Sequence, residues 1–195
     1  MNLIELAQSA EALVQAQPPV VIEAQRCQHA KNKASSCDLC VQACPTNAIA
    51  LENHAPVVTA SDCIRCGLCL SNCPAGVFDA YDPTYNLLYC ATQLHEKHAV
   101  EITCKHHPDA SHGDAGMDAV IQTSRCLAAY GLSTYLGLLV LGVEQIRVRL
   151  DACHACPLRL LEPHARHTAA RANAIATPGA GPDRVVVVDR GEAAE

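Results

Sequence analysis

The stretch CDLCVQACP, Cys37 to Pro45, returns 29 residues later inside CIRCGLCLSNCP, Cys63 to Pro74. Cys37, Cys40 and Cys44 map onto Cys66, Cys69 and Cys73, and both copies end in Cys-Pro. The second copy is complete, because Cys63 supplies one further cysteine at its start. The matching position in the first copy is Ala34. A short apolar run follows each copy, Ala48-Ile49-Ala50-Leu51 and Val77-Phe78, suited to packing beside whatever the cysteines hold. Everything else in the chain is read outward from this offset repeat and its one missing member.

The 195 residues suit one large domain or two small ones. Half are hydrophobic, yet there is one Phe and no Trp, so the core has little aromatic mass and a small domain would lean on metal. The opening residues, MNLIELAQSAEALVQ, lack the basic and apolar regions of a secretory signal, so a cytoplasmic location is expected. Thirteen cysteines in a reducing compartment read as metal ligands or redox groups rather than disulfides. The net charge of −6 and the absence of a Lys/Arg stripe argue against nucleic acid, while an acidic surface suits docking on a basic patch of a redox partner. Cys126 to Val143 carries no charge over 18 residues, but its three glycines and the strand-like run after it predict a buried helix rather than a membrane span.

Cysteine spacing of the form C-x2-C-x2-C-x3-C-P holds iron–sulfur clusters, three cysteines facing one cube and the fourth reaching the neighbouring one. Residues 20–80 thus resemble the bacterial two-cluster ferredoxins. The resemblance implies one [4Fe–4S] cluster on Cys63, Cys66, Cys69 and Cys44. It implies a second on Cys37, Cys40 and Cys73, short of the ligand that Ala34 does not provide. Cys27 can loop back across the polar stretch Gln28 to Lys33, His29 can substitute, or the site holds three irons or none. Thiolate is the softer and commoner iron ligand, which favours Cys27. Zinc also binds C-x2-C pairs but does not call for a second, offset copy. Lys31, Lys33 and Arg65 are read as solvated surface.

Beyond residue 85, apolar runs each lead to a cysteine. Leu87-Leu88-Tyr89 ends at Cys90 and Val100 to Thr103 at Cys104, while Ala119 to Thr123 leads to Cys126 and Gln145 to Leu150 to Cys153 and Cys156. Strand, helix, strand is the unit of a parallel sheet, whose carboxyl edge would gather Cys104, Cys126, Cys153 and Cys156, with Cys90 as a fifth candidate. Cys126-Leu-Ala-Ala-Tyr-Gly and LGVEQIRVRLDACHACPL make residues 85–158 similar to the iron–sulfur delta subunit of methyl-viologen-reducing hydrogenases. That likeness implies a third cluster, [4Fe–4S] or [2Fe–2S], and a relay between larger redox enzymes. Rival readings of the same residues are a structural zinc and a Cys153-x-x-Cys156 dithiol at a helix start. His106 and His107 are placed near the third site, and His95, His98, His112, His164 and His167 on the surface.

The expected fold is an α+β ferredoxin-like domain followed by a small α/β domain with a parallel sheet. Residues 1–19 form a helix with Leu3, Leu6, Ala10, Leu13 and Val14 on one face, closed by Pro18-Pro19. Residues 20–82 form the two-cluster domain, 83–176 the α/β domain and 177–195 a linker with a strand. A helix is expected from Arg159 to about Ile175, and Val185 to Val188 as an edge strand here or in a partner's sheet. With no Ser/His/Asp set, no paired carboxylates and no phosphate loop, the chain reads as a polyferredoxin-like subunit passing single electrons to or from a larger oxidoreductase. The alternatives are an oxygen- or redox-responsive iron–sulfur regulatory or binding module, a ferredoxin fused to a zinc- or dithiol-bearing domain, and an enzyme with an open iron at the third site.

Overall fold

The computed structural model describes residues 20–79, 83–93, 98–109, 116–179 and 181–189. The expected N-terminal helix, the 80–82 boundary, His95, His112 and the tail from 190 lie outside the described residues. In the first half, β1 (Val21–Ile22) leads through a 3-10 turn at Ala24–Arg26 to α1 (Gln28–Lys31) and then α2 (Leu39–Ala43). The hairpin β2 (Ile49–Glu52) and β3 (Ala55–Val58) is joined by Asn53 and His54, both with positive φ (47° and 64°). A two-residue loop left-handed at both positions matches the twist of the strands it joins. α3 (Leu68–Asn72) follows in the second copy, and β4 (Phe78–Asp79) returns antiparallel to β1, pairing Val21 with Asp79 and Ile22 with Phe78. Val20, Ile49, Val77 and Phe78 form a small core with Cys27, and Cys40, Cys44, Cys69 and Cys73 pack around it.

The second half holds a four-stranded parallel sheet in the order β6-β5-β7-β8, made of β5 (Ala99–Cys104), β6 (Ala119–Thr123), β7 (Gln145–Arg149) and β8 (Val185–Val188). Three of these strands lie where the apolar runs predict them. The fourth, β8, pairs in parallel with β7 at the edge of the chain's own sheet after α6 (Glu162–Ala176), which begins just beyond a 3-10 turn at Arg159–Leu161. The run Leu87-Leu88-Tyr89 departs from expectation, since it lies inside the helix α4 (Pro83–Thr92). Thr84, Leu87, Leu88 and Ala91 recur at helical spacing; Leu87 and Ala91 are buried, and Pro83 opens the first turn, a position that tolerates proline. Three apolar residues in a row were too few to show alternation, and the longer period decides.

The uncharged stretch divides into a 3-10 turn at Leu127–Ala129 and α5 (Leu132–Val140). Its apolarity reflects burial of Tyr135 and Leu138 against the sheet domain's core. α4 crosses it closely, with Thr84 Oγ1 3.0 Å from Thr134 Oγ1. A Cβ on Gly137 would meet Leu88 at 3.0 Å, so this helix pair needs the missing side chain. No helix among the described residues is long and apolar enough to cross a membrane.

One face of the sheet carries an ion network that the strand pattern did not suggest. Glu101 of β5 is fully buried and accepts from Arg149 Nη1 at 2.9 Å. Arg149 Nε and Nη2 grip Asp151 at 2.7 and 2.9 Å. The Asp151 bonds first, and Glu101 after them, hold the guanidinium above its ordinary pKa against the opposing effect of burial. Burial opposes ionisation of Asp151 too, but Arg149 and His107 outweigh it and keep the carboxyl below its usual range. Removing one member strands a buried charge, so Arg149→Met is expected to destabilise the fold by about 3–5 kcal/mol, with Glu101→Leu added in the same chain recovering much of the loss. Denaturant midpoints of the two variants, measured without air, check this.

Candidate metal centres

Twelve of the cysteines fall into three groups of four, each walling a cavity. The first cavity, about 360 Å³, is bounded by Cys27, Cys37, Cys40 and Cys73 with Leu51 and Phe78. The second, about 390 Å³, is bounded by Cys44, Cys63, Cys66 and Cys69 with Ile49 and Leu68. Each copy therefore lends one cysteine to the other. Cys44 and Cys73 close α2 and α3 in extended backbone (φ −79°, ψ 112° and φ −81°, ψ 109°), as the proline after each requires. That turn sends the last thiol of each copy away from its own three.

The position that Ala34 leaves empty is taken over in space by Cys27, 8% exposed at the start of α1. Ala34 itself does not line the cavity, and its N–H donates to Asn32 Oδ1 at 3.0 Å. His29 does not line it either. Its Nε2 donates to the Cys37 carbonyl at 2.6 Å, so this histidine steadies the Cys37 loop rather than facing the cavity.

The third cavity, about 340 Å³, is bounded by Cys104, Cys126, Cys153 and Cys156 with Leu127, Leu150 and Leu161. Cys104 ends β5, Cys126 follows β6, and Cys153 and Cys156 flank a 3-10 turn beyond β7, so the parallel strands deliver all four to one edge. Cys90 is not among them: it is exposed on α4 and lines none of the three cavities. The helix that replaced the expected strand carries it off the edge. His106 lines the third cavity, whereas His107 is buried beneath it. His107 Nδ1 accepts from the Asp109 N–H at 3.0 Å, leaving Nε2–H to donate to Asp151 at 3.2 Å. His107 thus braces the segment leading into Cys153.

Burial, and then neighbouring thiols, work against charge on six of these cysteines. Cys69 and Cys153 are pushed up to about 12 and Cys126 to about 11; Cys40, Cys66 and Cys104 are raised as well. Four thiolates in an apolar cavity need a cationic core to be stable together, and iron–sulfur cores supply one. The donor set, four sulfurs in each largely apolar wall, fits such a group, with His106 and Glu162 also lining the third. Backbone N–H groups already point at two sulfurs, from Ala48 to Cys44 at 3.2 Å and from Leu158 to Cys156 at 3.4 Å. Among the described residues no three His, Cys, Asp or Glu side chains converge as they would on a single ion. The dithiol reading of Cys153 and Cys156 fits poorly, because its thiol pKa is raised rather than lowered and α6 begins only at Glu162.

The second and third cavities adjoin. Cys66 is buried in the same core as Leu127, Ala128 and Ala129, which directly follow Cys126. Ser71 Oγ donates to the Ala128 carbonyl at 3.0 Å and accepts from His164 Nε2 at 3.3 Å. His164, expected at the surface, is half-buried in this seam. Gly67, at φ 85°, lies so close that an added Cβ would stand 2.3 Å from Ala129 Cβ. These contacts join residues far apart in the chain, and no local pattern announces them.

A sequence-family model for the 4Fe-4S dicluster domain matches residues 33–77. No curated protein and no solved structure matches the chain. The match supports a ferredoxin-type domain at residues 33–77, a family whose model implies 4Fe–4S binding, and it begins after Cys27.

Two outcomes are expected of variants at these positions. Cys90→Ser leaves the iron content of anaerobically purified protein unchanged. Gly67→Ala, strained in φ and overpacked against Ala129, lowers stability by about 1–3 kcal/mol, read as a fall in the unfolding midpoint.

Proposed function

We propose that the chain is an electron relay carrying three [4Fe–4S] clusters, one in each cysteine-walled cavity. The single observation that supports it most is the sorting of twelve cysteines into three fours, each around one cavity. Seven of the eight cysteines around the first two lie within the matched dicluster segment, and the third cavity equals them in number of cysteines, which favours a cube over a [2Fe–2S] rhomb or a lone zinc. When bound, such clusters supply reversible one-electron chemistry at potentials set by the surrounding protein.

In this reading Cys27, Cys37, Cys40 and Cys73 hold the first cluster, Cys44, Cys63, Cys66 and Cys69 the second, and Cys104, Cys126, Cys153 and Cys156 the third. The protein's own part is to hold the sites in line, keep water out with leucines and the one phenylalanine, and tune the sulfurs through N–H donors. His29 and His107 orient ligand-bearing loops without facing the metal. Cys66 and the Leu127–Ala129 turn keep the second and third sites adjacent, which suits transfer between them. The partner we propose is a larger oxidoreductase, in keeping with the likeness of residues 85–158 to the hydrogenase delta subunit.

Protein purified without air is expected to hold about twelve irons and twelve acid-labile sulfides per chain. Cys153→Ala should leave about eight of each, and Cys27→Ala should remove at least about one iron, in step with loss of a cube's fourth ligand. About eight irons with one zinc in the unaltered chain would replace the third cluster by a zinc site.

A further inference from the structure

A fourth concavity, not walled by a cysteine quartet, opens at the seam between the second and third sites. It is an open cleft of about 1150 Å³. Arg65 reaches it from the Cys63–Cys66 loop, Lys105 and His106 from beyond β5, and Arg125 from beyond β6. Cys126 stands in its wall and in that of the third cavity, and Ile64 is shared with the second. Among the described residues, no Asp or Glu lines it. In a chain with 14 Lys and Arg against 20 Asp and Glu, Arg65 and Lys105 in one concavity, beside Arg125, stand against the overall charge. Arg65 and Lys105 make no ion pair among the described residues.

We propose that this cleft is a docking site for an acidic, Asp/Glu-bearing segment of a redox partner. Charge complementarity selects the occupant. An acidic partner is repelled by the net −6 of the chain and attracted only where cations gather, so the cleft also fixes its orientation. The cations come from three separate loops of an open cleft, roomy enough for a run of carboxylates rather than one compact phosphate. Ile64 and Leu158 add apolar contact for the segment's carbon atoms. A segment seated here lies against the walls of two cavities at once. The proposal rests on the relay reading above, since it makes the cleft the place where that partner meets the sites.

The test uses the full chain, purified without air and loaded with iron, and follows the anisotropy of a fluorescein-labelled polyglutamate peptide. Binding is expected at low ionic strength and should weaken as salt rises. Arg65→Glu with Lys105→Glu should weaken it at least about tenfold, whereas Lys31→Glu with Lys33→Glu, an equal change in net charge near the first site, should alter it by less than about twofold. Equal weakening by both pairs would show attraction to diffuse charge and overturn the proposal, as would absence of peptide binding. Saturable binding of inorganic pyrophosphate without binding of the peptide would also overturn it, in favour of a small-oxyanion site. If the reversed pair loses iron, Arg65→Gln with Lys105→Gln takes its place, with weaker binding again expected and unchanged binding overturning the proposal. Iron per chain is measured throughout. Iron-free wild-type protein defeats the relay reading, whereas loaded protein that ignores the peptide defeats the docking site alone.

Discussion

Negative charge on sulfur, buried away from water, is the constraint around which this molecule is arranged. Burial in an apolar cavity disfavours ionising a thiol, as at Cys69, Cys126 and Cys153, and each ionised neighbour makes the next harder. A cationic inorganic core reverses that balance and turns the same ring into a cross-link. Among the described residues the first half has a small core of its own, with only Val20, Ile49, Val77, Phe78 and Cys27 buried in it. Hydrophobic burial on that scale gives a small domain only marginal stability. The sheet domain is better supplied, with Tyr135, Leu138, Ile146 and Val148 fully enclosed, and its third cysteine group lies at the rim rather than at the centre.

Placing the third group at a strand edge follows from parallel topology. All four strands end on the same side, so the cysteines at or after the ends of β5, β6 and β7 arrive at one place without any irregular backbone in the core. The Glu101–Arg149–Asp151–His107 network lies just beneath, linking β5, β7 and the turns that carry Cys104 and Cys153. Rigid support of this kind limits how far the ligand-bearing turns can shift when the charge of the site changes.

Motifs that depend on close spacing were legible from the residues. The offset repeat showed which cysteines act together, and the runs ending at Cys104, Cys126 and Cys153 showed three strands reaching one edge. What escaped depends on tertiary contact. Leu87 to Tyr89 reads as a strand until α5 is there to receive Leu88. His164 reads as surface until Ser71 arrives from 93 residues away. Nothing in the strand pattern marks Glu101 for burial, and Arg149 across the sheet supplies its partner. Cys27 was reachable by chemistry, as the softest donor near a missing one, yet its arrival at the first cavity depends on how α1 folds back.

The β1–β4 ribbon is two residues long on each side, too short to persist by its own hydrogen bonds. Cys27 follows β1 by only a few residues, while Cys73 precedes β4, and both face one cavity. Iron held there would clasp the beginning of the domain to its end, doing by coordination what a longer pair of strands does elsewhere. Scarcity of iron, or its stripping by oxidants, would then loosen the domain from its leading strand first.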